Sequence, residues 1–452
     1  MKIPAQPPDY KNLFDEVIGA RRNPTETLQR LLRIGPLVNG EYRHWDRIRH
    51  MQPPEGLTHR EWWLGIKIAR NQLERRIPLL DREGIPFVYG MPDPIQRALH
   101  TITQQASGRL GASDQVTNPS TRDRYIVNSL IEEAITSSQL EGASTTAHVA
   151  KSMLRAGRPP RDRSEQMIMN NYLAMRRVQE LKEEPLTPEL VFELHRIVTE
   201  DTLDDPTRAG AFRTDADNIA VNDRVDGKVL HLPPPAGELP ERLVMMCEFA
   251  NVTDDEGFMH PVIRAILLHF WLAYDHPFVD GNGRTARALF YWVMLNNGYW
   301  LAEFLSISRI LNKAPSGYAR SFLYTETDSN DLVYFLDYQL RVIQQAIDDL
   351  FAHLDRKSRE VREVENVIRG AGNFNHRQLA VLGHALRHPG ASYTFNSHKR
   401  SHDVVYQTAR TDLLDLSKRG LLRERKIGRV FHFDPPPDLP ERLRQLSVDA
   451  RS

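Results

Sequence analysis

Two dense apolar runs dominate the hydrophobic pattern of this chain: Pro261 to Tyr274 (PVIRAILLHFWLAY) and Ala288 to Tyr299 (ALFYWVMLNNGY). Each carries large side chains on every face, which predicts a fully buried helix rather than a half-exposed one. The polar stretch between them, His276 to Arg287, then lies at a junction of two core helices. Gly281, Asn282 and Gly283 disfavour helix and mark a loop, and Arg284 begins the next helix.

The remaining pattern is mainly helical. Residues 121–142 place Ile126, Leu130, Ile131 and Ile135 at helical spacing, with Gly142 as the stop. Helices are also expected over Asn23–Ile34 and His59–Arg76, the second with Thr58 as cap, Glu61 three residues on, and Trp62 and Trp63 in its core. Three more helices fill residues 145–200, and His195 on the last reads as a core or surface histidine. The character changes at 211–235, where Asn218–Val221 and Lys228–Leu232 read as short strands around an Asp226-Gly227 turn. After residue 300 the pattern is helical again, with one long helix from Asn330-Asp331 to about residue 368. The last part predicts helices over His376–His388 and Val404–Arg419, with Ala409, Leu413 and Leu416 inward, then strands Arg423–Arg425 and Val430–Phe433. The expected organisation is a helical region at 1–95, a core at 96–368, a small domain at 373–433, and a tail at 434–452 that is a short helix or disordered.

Lys and Arg total 59, matching 59 Asp and Glu, so the whole chain has no bias toward nucleic acid or membrane. Residues 373–433 depart from this with eleven Lys or Arg against four Asp or Glu, which fits a nucleic-acid footprint. The single cysteine, Cys247, excludes an intramolecular disulfide and suits a reducing compartment. The start lacks the apolar core of a signal peptide, and Arg264 and His269 interrupt the 261–274 run, so no membrane span is expected. The expectation is a soluble cytoplasmic protein.

The loop has chemical consequences. A Gly-Asn-Gly turn opening a helix aims free backbone N–H groups at one spot, a ready site for phosphate. Arg284 and Arg287 are three apart and can add charge-assisted bonds to the same anion. Asp280 is a hard oxygen ligand suited to a magnesium ion on phosphate. His276 titrates near neutrality and could take a proton from a hydroxyl. Together these describe phosphoryl or nucleotidyl transfer.

The stretch His276-Pro277-Phe278-Val279-Asp280-Gly281-Asn282-Gly283-Arg284-Thr285-Ala286-Arg287 resembles the signature of the Fic family, H-P-F-x-D/E-G-N-G-R-x-x-R, at every defined position. The resemblance implies a mostly helical fold that transfers AMP from ATP, with Mg2+, to a Ser, Thr or Tyr hydroxyl of a target protein. It makes His276 the general base, Asp280 the magnesium ligand, and Gly281, Asn282 and Gly283 the phosphate cradle. It puts Arg284 and Arg287 on the phosphates. Ser137-Ser138-Gln139-Leu140-Glu141-Gly142 resembles the family's inhibitory motif, S/T-x-x-x-E-G/N. By that likeness Glu141 pairs with Arg287 in place of the γ-phosphate, and Ser137 helps seat the helix. An acidic residue at a helix C-terminus opposes the helix dipole, so Glu141 is not there for local stability.

Within the same resemblance, 216–232 is a flap on which a target segment docks as an added strand; otherwise it is a surface hairpin. Residues 373–433 resemble a winged helix-turn-helix, with Tyr406, Gln407 and Arg410 outward and Lys426 and Arg429 on the wing. Such a domain binds DNA or docks protein. Self-modification and a homodimer stay open as further partnerships. Two rival functions remain: transfer of another nucleotide or phosphate-containing group, and a DNA-binding regulator whose nucleotide site is a sensor.

Overall fold

The structure is a computed structural model that describes residues 2–19, 24–106, 119–223, 226–252, 258–370, 374–387, 390–427 and 430–449. The chain divides into two compact units, Met1–Leu350 and Phe351–Ser452. It is mainly helical, with three two-stranded antiparallel sheets among the described residues. No described helix is long and apolar enough to cross a membrane.

In the first unit the Thr58 capping box forms as expected: its side chain accepts from Glu61 N–H, and Glu61 bonds back. The helix ends at Asn71, not Arg76. Arg75–Leu80 alternates exposed and buried positions and forms β1, which pairs with β2, Pro86–Tyr89. The 1–95 region is therefore not wholly helical. The Asn23 start expected for the next helix upstream lies outside the described residues, and that helix covers Pro24–Leu31.

The β2 strand fastens this region to the core, because Val88 N–H donates to Asn330 and Leu332 N–H donates to Val88. Beside it lies a buried polar joint. Lys67 pairs with Asp328 at 3.1 Å, Tyr334 donates to Asp328 at 2.7 Å, and Arg70 donates to Tyr334 at 2.6 Å. The Arg70 guanidinium lies 3.6 Å from the Tyr42 ring centroid. Lys67, Arg70 and Asp328 stay charged inside because the cations and the carboxylate face each other.

Helices Pro261–Asp275 and Asn282–Asn296 pack against each other at the centre, buried on nearly every side. Helices Arg163–Glu180 and Pro188–Thr199 close on them. Pro188 takes the first helical position behind the Thr187 cap. Helix Pro119–Leu140 packs along Arg163–Glu180 and ends beside the loop. Its Glu133 is buried and accepts from Ser306 Oγ, Ser308 N–H and Ser308 Oγ.

The two strands expected within 216–232 are shorter than the pattern predicts: β3 is Val221–Asn222 and β4 is Val229–His231. Asn218, at φ +48°, closes a 3₁₀ turn over Asp215–Asp217, which delays the first strand. Cys247 is buried, and burial pushes its thiol up to about 12, as an inert structural cysteine requires.

The second unit holds helices His376–Arg387, Phe395–His402 and Tyr406–Lys418, then β5 (Arg423–Ile427), β6 (Val430–Asp434) and helix Leu439–Asp449. The middle helix is missing from the pattern-based reading because it buries only Phe395 and His398. Ala409, Leu413 and Leu416 face inward, and Tyr406, Gln407 and Arg410 are exposed. Residue Arg429 lies outside the described residues.

Asp328→Ala leaves Lys67 without its carboxylate and is expected to cost about 3–5 kcal/mol. Glu16→Ala, which breaks the exposed pair with Arg60, should cost about 1 kcal/mol or less. Urea unfolding of the two variants checks the contrast.

Candidate active site

The loop is set by the backbone around His276. His276 ends its helix in the left-handed region, φ +45°, with its N–H donating to Leu272 at 3.0 Å. That costly conformation is held from outside. Arg213 Nε donates to His276 O at 2.8 Å, Arg213 Nη2 donates to Asp275 O and Pro234 O, and Arg213 N–H donates to Pro277 O. Asp275, one residue earlier, is buried and accepts from Arg242 and from Trp271 Nε1. The Phe278 ring is wholly buried and stacks on His195 at 3.7 Å.

His195 supports the other end of the loop. Gly210 N–H donates to its Nδ1 at 2.8 Å, so Nε2 carries the proton and donates to Asp280 O at 2.9 Å. Burial pushes His195 down to about 4, consistent with this neutral tautomer. Gly281 follows at φ +81°, and a Cβ there would lie 2.7 Å from Thr199 Cγ2. Only glycine fits that close approach.

The members of the expected cradle divide their roles. Gly281 N–H is taken by Asp280 Oδ1 at 2.6 Å, so Gly281 contributes conformation and not a free donor. Asn282 turns its side chain back on the loop, accepting from Phe278 N–H and donating to Phe278 O. The N–H groups of Asn282, Gly283 and Arg284 open the helix and have no acceptor within it.

The histidine and the two arginines surround this helix end. His276 Nδ1 lies 3.2 Å from Ala273 O, so Nδ1 is the donor and Nε2 is left with a lone pair. Burial pushes His276 down to about 4, which keeps it neutral and basic at physiological pH. Arg284 is wholly buried and donates Nη1 to Val198 O. Its Nε and Nη2 have no hydrogen-bond acceptor among the described residues. Arg287, also buried, donates Nε to Ser137 Oγ at 2.8 Å and Nη2 to Ser137 O at 3.0 Å. Arg287 Nη2 also donates to Glu141 Oε1 at 2.8 Å. The Glu141 carboxylate lies so near the helix start that a Cβ on Gly283 would meet Oε1 at 2.2 Å. An anion thus already sits where the helix dipole and Arg287 favour one.

Asp280 is the candidate metal ligand. Its side chain is 40% exposed, and Arg163 and Arg284 approach it at 3.6 Å. No group of three or more His, Cys, Asp or Glu capable of holding a metal occurs among the described residues. The chemistry fits an ion held by one carboxylate with phosphate and water oxygens, the usual manner of magnesium.

Residues 185–294 match the profile of the Fic/DOC family. The matched segment begins just before helix Pro188–Thr199 and ends within helix Asn282–Asn296. The chain is 33% identical over 118 residues to a protein adenylyltransferase Fic of Nematostella vectensis, covering 26% of this chain and 25% of that protein. It is 34% identical over 130 residues to its counterpart in Drosophila virilis, covering 28% and 23%. The chain spans about a quarter of the length of these curated relatives. A crystal structure of a Fic family protein from Desulfovibrio desulfuricans resembles the fold with a TM-score of 0.50 and 16% identity, covering 77% of this chain and 98% of that one.

Sequence reasoning missed two residues that position the loop, Arg213 and His195. Arg213 stands in a stretch distinguished only by its change of pattern. His195 sits on a helix among apolar neighbours, and its bond to Asp280 O spans 85 positions. No local spacing could signal either one.

The buried histidines fix a pH dependence. His44, His195 and His276 are pushed down to about 4 by burial, and unfolding returns each to its ordinary 6.5. The unfolded chain therefore binds more protons below pH 6.5, and stability falls as pH drops from 6.5 toward 4. Melting temperature should be level from pH 8 to 7 and decline steeply below 6.5. A level profile down to pH 4.5 would contradict the burial of neutral imidazoles.

Proposed function

We propose that the chain is a protein adenylyltransferase that transfers AMP from ATP to a Ser, Thr or Tyr hydroxyl of a target protein, and that Glu141 keeps it inactive at rest. The observation that carries the reading is Arg284. A wholly buried guanidinium at a helix start, whose Nε and Nη2 make no hydrogen bond and whose only ion-pair partner among the described residues is Asp280 at 3.6 Å, has donors to spare for a further anion. A polyphosphate supplies that anion, and a neutral histidine stands at the same junction.

His276 Nε2 takes the proton of the target hydroxyl, whose oxygen attacks the α-phosphorus. The bond from that phosphorus to the bridging oxygen breaks, and pyrophosphate leaves with the electron pair. The N–H groups of Asn282 and Gly283 and the Nε and Nη2 donors of Arg284, which make no hydrogen bond, bind the phosphate oxygens and stabilise charge as it develops. Magnesium on Asp280 would neutralise phosphate charge. Arg287 holds the terminal phosphate once Glu141 has left it. A carboxylate and a phosphate compete for that guanidinium, so the resting chain is inhibited by its own side chain. The edges of the β3–β4 hairpin suit an extended target segment, whose backbone would add as a strand.

Incorporation of label from α-labelled ATP, with magnesium and cell lysate, tests the proposal. Glu141→Gly should raise labelling above the unmutated chain. Adding His276→Ala should reduce it by about 100-fold or more, the usual worth of a general base. No label in any form would overturn the reading.

A second test follows from the burial of His276. Labelling by Glu141→Gly should hold from pH 8 to below 6, because the base gains its proton only near pH 4. A rate that halves near pH 6.5 would show the base titrating as an ordinary histidine and contradict the downward shift that burial imposes on His276.

A further inference from the structure

The C-terminal unit sorts its charges by sign. Asp412 is buried and accepts from Arg377 Nε at 2.6 Å, from Asn375 at 2.8 Å and from His398 Nε2 at 3.1 Å. Asp415 accepts from Gln378 at 2.8 Å and pairs with Arg419 at 3.0 Å. Asp434 pairs with Arg425 at 3.0 Å. These three carboxylates are therefore spent on partners within the unit. Lys399, Arg400, Arg410, Lys418, Arg423 and Lys426 are exposed and form no salt bridge among the described residues. Between Phe395 and Asp434, two exposed acids remain among the described residues, Asp403 in the turn before Tyr406 and Glu424 on β5.

The cations lie on elements that can share one ligand. Helices Phe395–His402 and Tyr406–Lys418 pack together across a three-residue turn. The second buries Ala409, Leu413 and Leu416 completely. Its opposite side presents Tyr406, Gln407 and Arg410. A guanidinium, an amide and a phenol form a set that hydrogen-bonds to phosphates and base edges. Val405, 68% exposed, is the one large aliphatic residue of Val405–Lys418 among the exposed hydrophobics, so the face is too polar for a hydrophobic protein interface. One helix is also the width that a DNA major groove admits.

We propose that this face binds duplex DNA, with helix Tyr406–Lys418 toward the bases and Lys399, Arg400 and Lys426 toward the phosphates. The inference is independent of the transfer chemistry, because none of these residues belongs to the candidate active site.

Fluorescence anisotropy of a labelled mixed-sequence duplex of about 30 base pairs, titrated with the full chain, tests it. Binding should weaken steeply between 50 and 200 mM salt, as counterion release requires. The triple variant Lys399→Ala, Arg400→Ala, Arg410→Ala should bind at least about tenfold more weakly at 50 mM salt, with a salt slope shallower by up to about 3. All three side chains are exposed, so its melting temperature should match that of the unmutated chain. If melting does shift, Arg410→Ala alone should still weaken binding measurably. No salt-dependent binding at 50 mM, or equal binding by the triple variant, overturns the proposal and leaves protein docking as the use of this face.

Discussion

One buried guanidinium ties the helix ending at Leu140 to the helix that opens at Asn282. Arg287 is removed from water, so its charge must be answered by something fixed nearby. Three of its contacts come from the end of one helix: Ser137 Oγ, Ser137 O and Glu141 Oε1. Glu141 is unfavourable for its own helix, standing at the negative end of that dipole. It is favourable for the neighbouring helix, whose positive end it meets beside Gly283. The helix Pro119–Leu140 is thus held to the core partly by the charge it brings. Glu133 strengthens the attachment a few turns earlier through Ser306 and Ser308.

The loop itself is rigid for a different reason. His276 and Gly281 both take positive φ; glycine adopts it without strain, but the histidine conformation would not persist in an isolated segment. Arg213 and Arg242 grip the His276 side through backbone oxygens and Asp275, and His195 grips the Asp280 side. These supports arise from three separate elements. They place His276 Nε2, the donors of Arg284 and the opening N–H groups of a helix at one junction before any ligand arrives. Preorganisation of that kind lets fixed donors act on developing charge without rearrangement.

How much of this could be read from the sequence depended on whether the signal was local. The two buried helices were plain because their apolar residues are contiguous, and the loop was plain because Gly281-Asn282-Gly283 interrupts them. The Thr58 cap and the inward face of Leu413 and Leu416 follow from spacing alone. The β1–β2 hairpin has no local signal, because Arg75-Arg76 continues a helical composition while its pairing is decided by Tyr89 and Val88 farther on. The Phe395–His402 helix was missed because it is nearly all polar. The individual roles of Gly281 and Asn282 were hidden too, since a sequence does not say which donor a neighbouring carboxylate or carbonyl will take.

In the proposed function, Glu141 and a terminal phosphate use the same place on Arg287. The most direct measurement compares the affinities of ATP and AMP for the unmutated chain and for Glu141→Gly, by calorimetry with magnesium. A charge-assisted bond is worth about 1.5–3 kcal/mol, so ATP should bind roughly tenfold or more tightly once the carboxylate is gone. AMP, which has no terminal phosphate to place there, should change little. Equal tightening of ATP and AMP, or none for either, would contradict the shared site.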